Sequence, residues 1–183
     1  MSIFTYADAK SYSRSIQNES IKIAQAQTKS LTRDVFLSHS SKDSEYIVGI
    51  IAFLEEQGAS VYVDLGDDRL PSNPNPKTAT ILKAEIQSSP RFIVLVSPNS
   101  KDSKWIPWEL GLSDGAKGLQ YSATFPIGPT ADREYWITQE YLGIYPRIEL
   151  IKAQGESTPS WCVWDPRDGK YWPLKVWLKG SIS

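Results

Sequence analysis

The chain has 183 residues with 20 Lys+Arg against 21 Asp+Glu, a formal net charge of −1, and one histidine, one cysteine and one methionine. A structural zinc site takes about four Cys or His ligands and a catalytic one about three protein ligands, so His39 and Cys162 cannot build the usual shell, and a lone cysteine closes no internal disulfide. The balanced charge leaves no basic footprint for nucleic acid or an anionic membrane, and any imidazole acid or base has to be His39.

A chain of this length is expected to fold as a domain burying roughly 70% of its unfolded surface. The longest apolar run, Phe92 to Val96, falls well short of the roughly 20 residues of a membrane span. Residues 1–31 lack a basic start followed by an apolar stretch, so no secretory signal is read and a cytoplasmic location is expected. Residues 1–32 are rich in Ser, Gln, Lys and Ala, with scattered apolar positions at Tyr12, Ile16, Ile21 and Ile23. They read as an N-terminal helical extension, weakly amphipathic and packed outside, or as a partly ordered arm.

From Arg33 short β-rich runs alternate with helical patterns, the signature of βαβ units and a parallel sheet. Asp34–Ser38 reads as a strand, followed by a helix with Ile47, Ile50, Ile51 and Leu54 on one face and Gly58 at its close. Ser60–Asp64 is a second strand. The loop Leu65–Pro76 carries Pro71, Pro74 and Pro76, which forbid regular structure. A helix over Lys77–Ser88 leads to Arg91–Ser97, an unbroken apolar run expected at the middle of a sheet covered on both faces. Then come a helix over Lys104–Lys117, a strand at Ser122–Ile127, a helix around Arg133–Leu142 and a strand at Arg147–Ile151. The tail holds four of the seven tryptophans, Trp161, Trp164, Trp172 and Trp177. Its two aromatic runs flank Asp165-Pro166-Arg167-Asp168-Gly169, which reads as the turn of a hairpin. The fold class is a three-layer α/β sandwich, with residues 33–183, hairpin included, as the main domain.

The string Ser-Lys-Asp-Ser occurs twice, at Ser41–Ser44 and Ser100–Ser103, each time between a strand and a helix. In a parallel sheet such turns emerge at the carboxyl edge, where α/β sheets bind ligands. Alternatively Ser41, Asp43, Ser100 and Ser103 simply cap the helices. After the second turn, Trp105 and Glu109 stand four apart and share a helix face, placing a carboxylate one turn beyond an aromatic plate. The competing reading has Trp105 and Trp108 anchoring the helix to the sheet and Glu109 in a solvent salt bridge. His39 either faces a ligand or fills the strand end, and Cys162 reads as a small buried hydrophobe.

Asp34-Val35-Phe36-Leu37-Ser38-His39-Ser40-Ser41-Lys42-Asp43, the strand Val61-Tyr62-Val63-Asp64 with its proline-bearing loop, and Ser103-Lys104-Trp105-Ile106-Pro107-Trp108-Glu109-Leu110 together resemble a prokaryotic Toll/interleukin-1 receptor (TIR) domain. The resemblance is closest over Arg33–Lys117. It implies a flavodoxin-like sandwich with a central parallel sheet of about five strands, Leu65–Pro76 being the family's BB loop. Related members are NAD+ glycohydrolases or cyclases of anti-phage systems such as Thoeris. By this resemblance Glu109 is the catalytic carboxylate and Trp105 stacks on the nucleotide, while Ser38, His39, Lys42 and Asp64 line the NAD+ pocket. NAD+ is then substrate with no further cofactor, TIR–TIR self-association accompanies activation, and a downstream nucleotide-sensing effector is an expected partner. Two departures stand out: the family's Pro-Gly in the loop is Pro71-Ser72 here, and an aromatic hairpin replaces the usual final helix. Two other functions stay open, a non-catalytic adaptor acting by TIR–TIR assembly and a flavodoxin-like phosphoacceptor. The latter calls for an acidic cluster at the first strand end, whereas Asp43 lies beyond a serine-rich turn.

Overall fold

The computed structural model describes residues 2–14, 33–131, 140–152, 155 and 157–180. Its strands are β1 (Phe4–Thr5), β2 (Val35–Ser38), β3 (Val61–Tyr62), β4 (Arg91–Val96), β5 (Ser122–Gly128), β6 (Arg147–Ile151), β7 (Ser160–Trp164) and β8 (Tyr171–Pro173). Its helices are α1 (Tyr6–Arg14), α2 (Ser44–Glu56), α3 (Pro76–Ser88), α4 (Trp105–Lys117) and α5 (Leu174–Leu178). The sheet runs β3-β2-β4-β5-β6-β7-β8, with β1 beside β5. From β3 to β6 every pairing is parallel. Counted from β2, that order is the flavodoxin-like 2-1-3-4-5, in which the strand order reverses between β2 and β4 and opens a ligand crevice at their carboxyl ends.

Every residue of β4 is buried because helices cover both of its faces. On one face Phe36, Tyr62, Phe92 and Val94 pack against Leu82 and Ile86 of α3 and Ile106 and Leu110 of α4. On the other, Val35, Leu37, Ile93 and Leu95 meet Ile47, Ile50, Ile51 and Leu54 of α2, the four positions read from helical spacing. Gly58 follows the end of α2 at φ +94°, where its lack of a Cβ lets the chain turn back towards β3.

The N-terminal residues do more than the sequence suggested. Phe4 is 1% exposed and sits among the rings of Phe53, Phe125 and Trp161 at 4.9–5.6 Å, while β1 pairs in parallel with β5 at Phe4 and Ile127. A helix of nine residues is marginal alone; α1 is held by docking on α2, where Ala9 is fully buried. The approach is close enough that a Cβ on Gly49 would lie 1.9 Å from the Ala9 carbonyl oxygen.

The tail also departs from a simple appended hairpin. β7 and β8 pair antiparallel, with Val163 opposite Trp172. β7 in turn pairs antiparallel with β6 over five residue pairs, so the hairpin adds two strands to the parallel five, and β1 beside β5 makes eight. Gly169 at φ +73° closes its turn, and the Arg167 guanidinium grips the Asp165 carboxylate at 2.5 Å. Helix α5 then tucks Trp177 into the core at 0% exposure. Its carbonyl accepts from Arg91 Nε at 2.7 Å and its indole N–H donates to the Gln120 carbonyl at 3.0 Å. The Arg91 guanidinium, 2% exposed, lies between the rings of Tyr121 and Trp177 at 4.7 and 5.0 Å. The helix expected around Arg133–Leu142 falls mostly outside the described residues; Glu140–Ile144 is a short 3₁₀ segment. Among the described residues no helix is long and apolar enough to cross a membrane.

The close contact of α1 with α2 gives a direct test. Gly49→Ala is expected to push α1 off its seat and lower unfolding free energy by about 1–3 kcal/mol, the range for overpacking. A denaturant midpoint equal to wild type would show that α1 does not dock there.

Candidate active site

The crevice between β2 and β4 is built by the two Ser-Lys-Asp turns. Both are single 3₁₀ turns, Ser41–Asp43 and Ser100–Asp102. They do not merely cap. Ser40 accepts from the Lys42 N–H at 3.4 Å and Ser103 from the Ile106 N–H at 3.3 Å, but the Asp43 side chain makes no cap to α2. Instead, fully buried, it reaches across to the other turn and accepts from Ser97 Oγ and Asn99 Nδ2, each at 2.6 Å. Above it Lys42 Nζ meets Asp102 Oδ2 at 3.1 Å. The repeat is a pair of turns cross-linked to each other. Ser100 serves the same join, accepting from the Ser97 N–H and donating to the Leu95 carbonyl.

Between these turns, α4 and the loop after β3 lies a cleft of about 490 Å³, within the usual range for small-molecule sites. His39, Lys42, Asp64, Trp105 and Glu109 all line it. Ser38 stands behind, its hydroxyl donating to Glu109 Oε2 at 2.5 Å across 71 positions of sequence. All six residues singled out from the sequence are therefore brought together at one sheet edge. The cleft also includes Asp102, Ser103 and Lys104 from the second turn, and Leu70, Pro71 and Pro74 from the loop. The doubled Ser-Lys-Asp string was the signal for the former; their place in the lining depends on how the turns join.

Helix α4 carries Trp105 and Glu109 on one face, with Pro107 in its first turn, where the missing N–H costs nothing. Trp108 is 39% exposed, so it does not anchor the helix to the sheet. Trp105 packs half-buried against the α3-side core, its ring edge-to-face with Trp108 at 5.4 Å, and keeps a surface in the cleft. The loop is pinned at its base. Tyr62 Oη donates to Asp67 at 2.7 Å, and Arg69 bridges Asp67 to Glu85 of α3 at 2.5 and 2.7 Å. Proline-bearing residues beyond it form the cleft wall.

The floor is acidic and dry, the rim basic and wet. Glu109 is 4% exposed, and burial pushes its carboxyl up to about 7; the Ser38 hydrogen bond opposes this and the charge of Asp64 adds to it. The His39 side chain is 3% exposed, its Nδ1 lying 3.4 Å from Asp64 Oδ1 without hydrogen-bond geometry. Burial pushes this imidazole down from its ordinary value against the pull of Asp64 and Asp43, which favours the neutral ring at pH 7. Lys42 and Lys104 are exposed at the mouth. A ligand positive at its inner end and anionic further out suits this polarity.

Comparison with known proteins gives three findings. The TIR domain family profile matches residues 35–129. A Bacillus cereus (strain MSX-D12) protein named "Probable 3' cyclic ADP-D-ribose synthase ThsB'" is 40% identical over 117 residues, 63% of this chain and 60% of that protein. A Cytobacillus dafuensis protein provisionally named cyclic ADP-D-ribose synthase TIR2 is 35% identical over 86 residues, 44% of this chain and 22% of that one. The chain thus spans less than two thirds of the length of either relative. Among solved structures, the TIR domain of the Toll-related receptor TRR-2 of Hydra magnipapillata superposes with a TM-score of 0.40 at 25% identity, over 52% of this chain and 69% of that one.

The raised Glu109 carboxyl makes stability fall with pH. Below about pH 4.5 the group is protonated whether the chain is folded or unfolded, and burial carries no charge penalty. Above about 7 folding must bury the ionised form, a cost approaching about 3 kcal/mol. Glu109→Gln, neutral throughout, is expected to gain on wild type progressively from pH 4 to pH 8 in denaturant melts. A difference independent of pH would show that Glu109 ionises as freely folded as unfolded.

Proposed function

Because the chain belongs to the TIR-domain family, its matched residues carrying the whole cleft, we propose that it is a cytoplasmic enzyme that breaks the nicotinamide–ribose bond of NAD+. The products are nicotinamide and an ADP-ribose-derived nucleotide, cyclic by the names its relatives carry, serving as a signal in prokaryotic anti-phage immunity. The observation that carries this reading is Glu109, buried at the cleft floor, held by Ser38 and one helical turn from Trp105.

The chemistry asks for little else. The nicotinamide of NAD+ is a cationic pyridinium and leaves as a neutral base, so no general acid is needed, in keeping with a chain holding one histidine. As the bond breaks, C1′ of the ribose becomes oxocarbenium-like. A fixed carboxylate among low-dielectric walls stabilises that developing charge, as in glycoside hydrolysis. The incoming cation itself favours the ionised form of Glu109. Trp105 offers a face for stacking on a nucleotide ring, and Lys42 and Lys104 offer cations for the diphosphate. NAD+ is the substrate, and no further cofactor is proposed. TIR–TIR self-association accompanies activation, and a nucleotide-sensing effector reads the product.

A non-catalytic adaptor would use the same fold with Glu109 idle, and activity decides between the two. Wild type at high concentration, or under crowding, is expected to release nicotinamide from NAD+, with Glu109→Ala and Glu109→Gln slower by on the order of 10²-fold or more. Wild type no faster than Glu109→Ala would leave the adaptor. In the same assay kcat/KM is expected to rise with pH and level off above about 7, as Glu109 ionises. Trp105→Ala is expected to raise KM for NAD+ while the far-ultraviolet circular dichroism stays that of wild type; loss of the folded spectrum would assign Trp105 to the core instead.

A further inference from the structure

Breaking the glycosidic bond is half of the reaction. The C1′–N bond breaks with its electron pair passing to the pyridinium nitrogen, and no proton moves. The other half differs. An oxygen nucleophile, water or a ribose hydroxyl, forms the new C1′–O bond, and its O–H proton must then be taken by a base. Glu109 is poorly placed for that task. It is 4% exposed, one carboxylate oxygen already accepts from Ser38, and its charge is engaged with the ribose cation.

Asp64 is placed differently. Asp64 lies just past the end of β3, two residues beyond Tyr62, which stands opposite Phe36 in the β2–β3 register. Its side chain is 40% exposed and lines the cleft. His39 Nδ1, a nearly buried ring nitrogen that has no hydrogen-bond partner, lies 3.4 Å from its Oδ1. Buried polar atoms are nearly always satisfied. An unsatisfied one facing a half-exposed carboxylate marks a contact that completes when the cleft is filled.

Resting on the NAD+-cleaving reading, we propose that Asp64 is the proton acceptor for the oxygen nucleophile and that His39 is the positioning residue that steers its carboxylate into the cleft. The nucleophile's proton passes to Asp64 Oδ as the C1′–O bond forms, and from that solvent-reached carboxyl it returns to water, restoring the enzyme.

A nucleophile with no proton to lose bypasses Asp64, and this supplies the test. In the full chain, nucleotide products are measured with NAD+ alone and with added 3-acetylpyridine, whose ring nitrogen can replace nicotinamide by exchange. Asp64→Asn is expected to lower hydrolysed plus cyclised product at least about tenfold, while exchange stays within about twofold of wild type. That retained exchange also reports a folded, NAD+-binding protein. His39→Asn is expected to shift the same ratio in the same direction by less; an unchanged ratio removes its positioning role. If Asp64→Asn keeps the wild-type ratio, or loses exchange and oxygen products equally, the assignment is overturned. If wild type neither releases nicotinamide nor exchanges it faster than Glu109→Ala, the NAD+-cleaving reading falls, and this assignment with it.

Discussion

The carboxylate of Asp43 joins the two halves of the cleft. Where the strand order reverses, the connections leaving β2 and β4 part in opposite directions, and the ladder between these strands ends at Ser38 and Val94, short of both turns. Asp43, fully buried, supplies that link through Ser97 and Asn99. A buried carboxylate is tolerable only where such donors replace its water. The first turn follows directly on Ser38 and His39, and the second leads into the helix bearing Trp105 and Glu109. The Ser38–Glu109 hydrogen bond is therefore backed by a contact that touches neither residue.

Placed on that frame, Glu109 occupies a position that opposes folding. Its neighbours remove water without providing a cation, which is why its carboxyl titrates near 7. A sequence optimised for stability alone would put an amide or an apolar group there. The same dryness makes a nearby positive charge count for more than it would in water. The cost is borne by the rest of the domain, above all by β4 and the two apolar layers against it.

Much of this was legible in the sequence, for local reasons. The unbroken apolar run of β4, the three-and-four spacing of α2 and the Trp105–Glu109 pair each declare themselves within a few residues. What escaped depends on partners far along the chain. A strand of two residues at Phe4–Thr5 has no period to detect and exists because β5 offers it an edge. An aspartate ahead of a helix reads as a cap whether it caps or, like Asp43, points elsewhere. The aromatic hairpin was visible as a hairpin, but its pairing with β6 was not, because intervening length says little about sheet position. Leu174–Leu178 is too short to register as a helix, and its place follows from the burial of Leu174, Trp177 and Leu178 and from Trp177's contacts with Arg91 and Gln120.

That last contact bears on how the molecule comes into being. Arg91 opens the central strand with a guanidinium lodged in the interior, and the carbonyl and ring that accommodate it belong to Trp177, 86 residues later. During synthesis β4 emerges long before Trp177, so the Arg91 guanidinium gains that carbonyl and ring only once residue 177 has left the ribosome. Closure spanning such a separation is slow to form and cooperative once formed. Chains cut short of Trp177 leave the Arg91 guanidinium without that carbonyl and ring, at the head of the most apolar strand of the sheet.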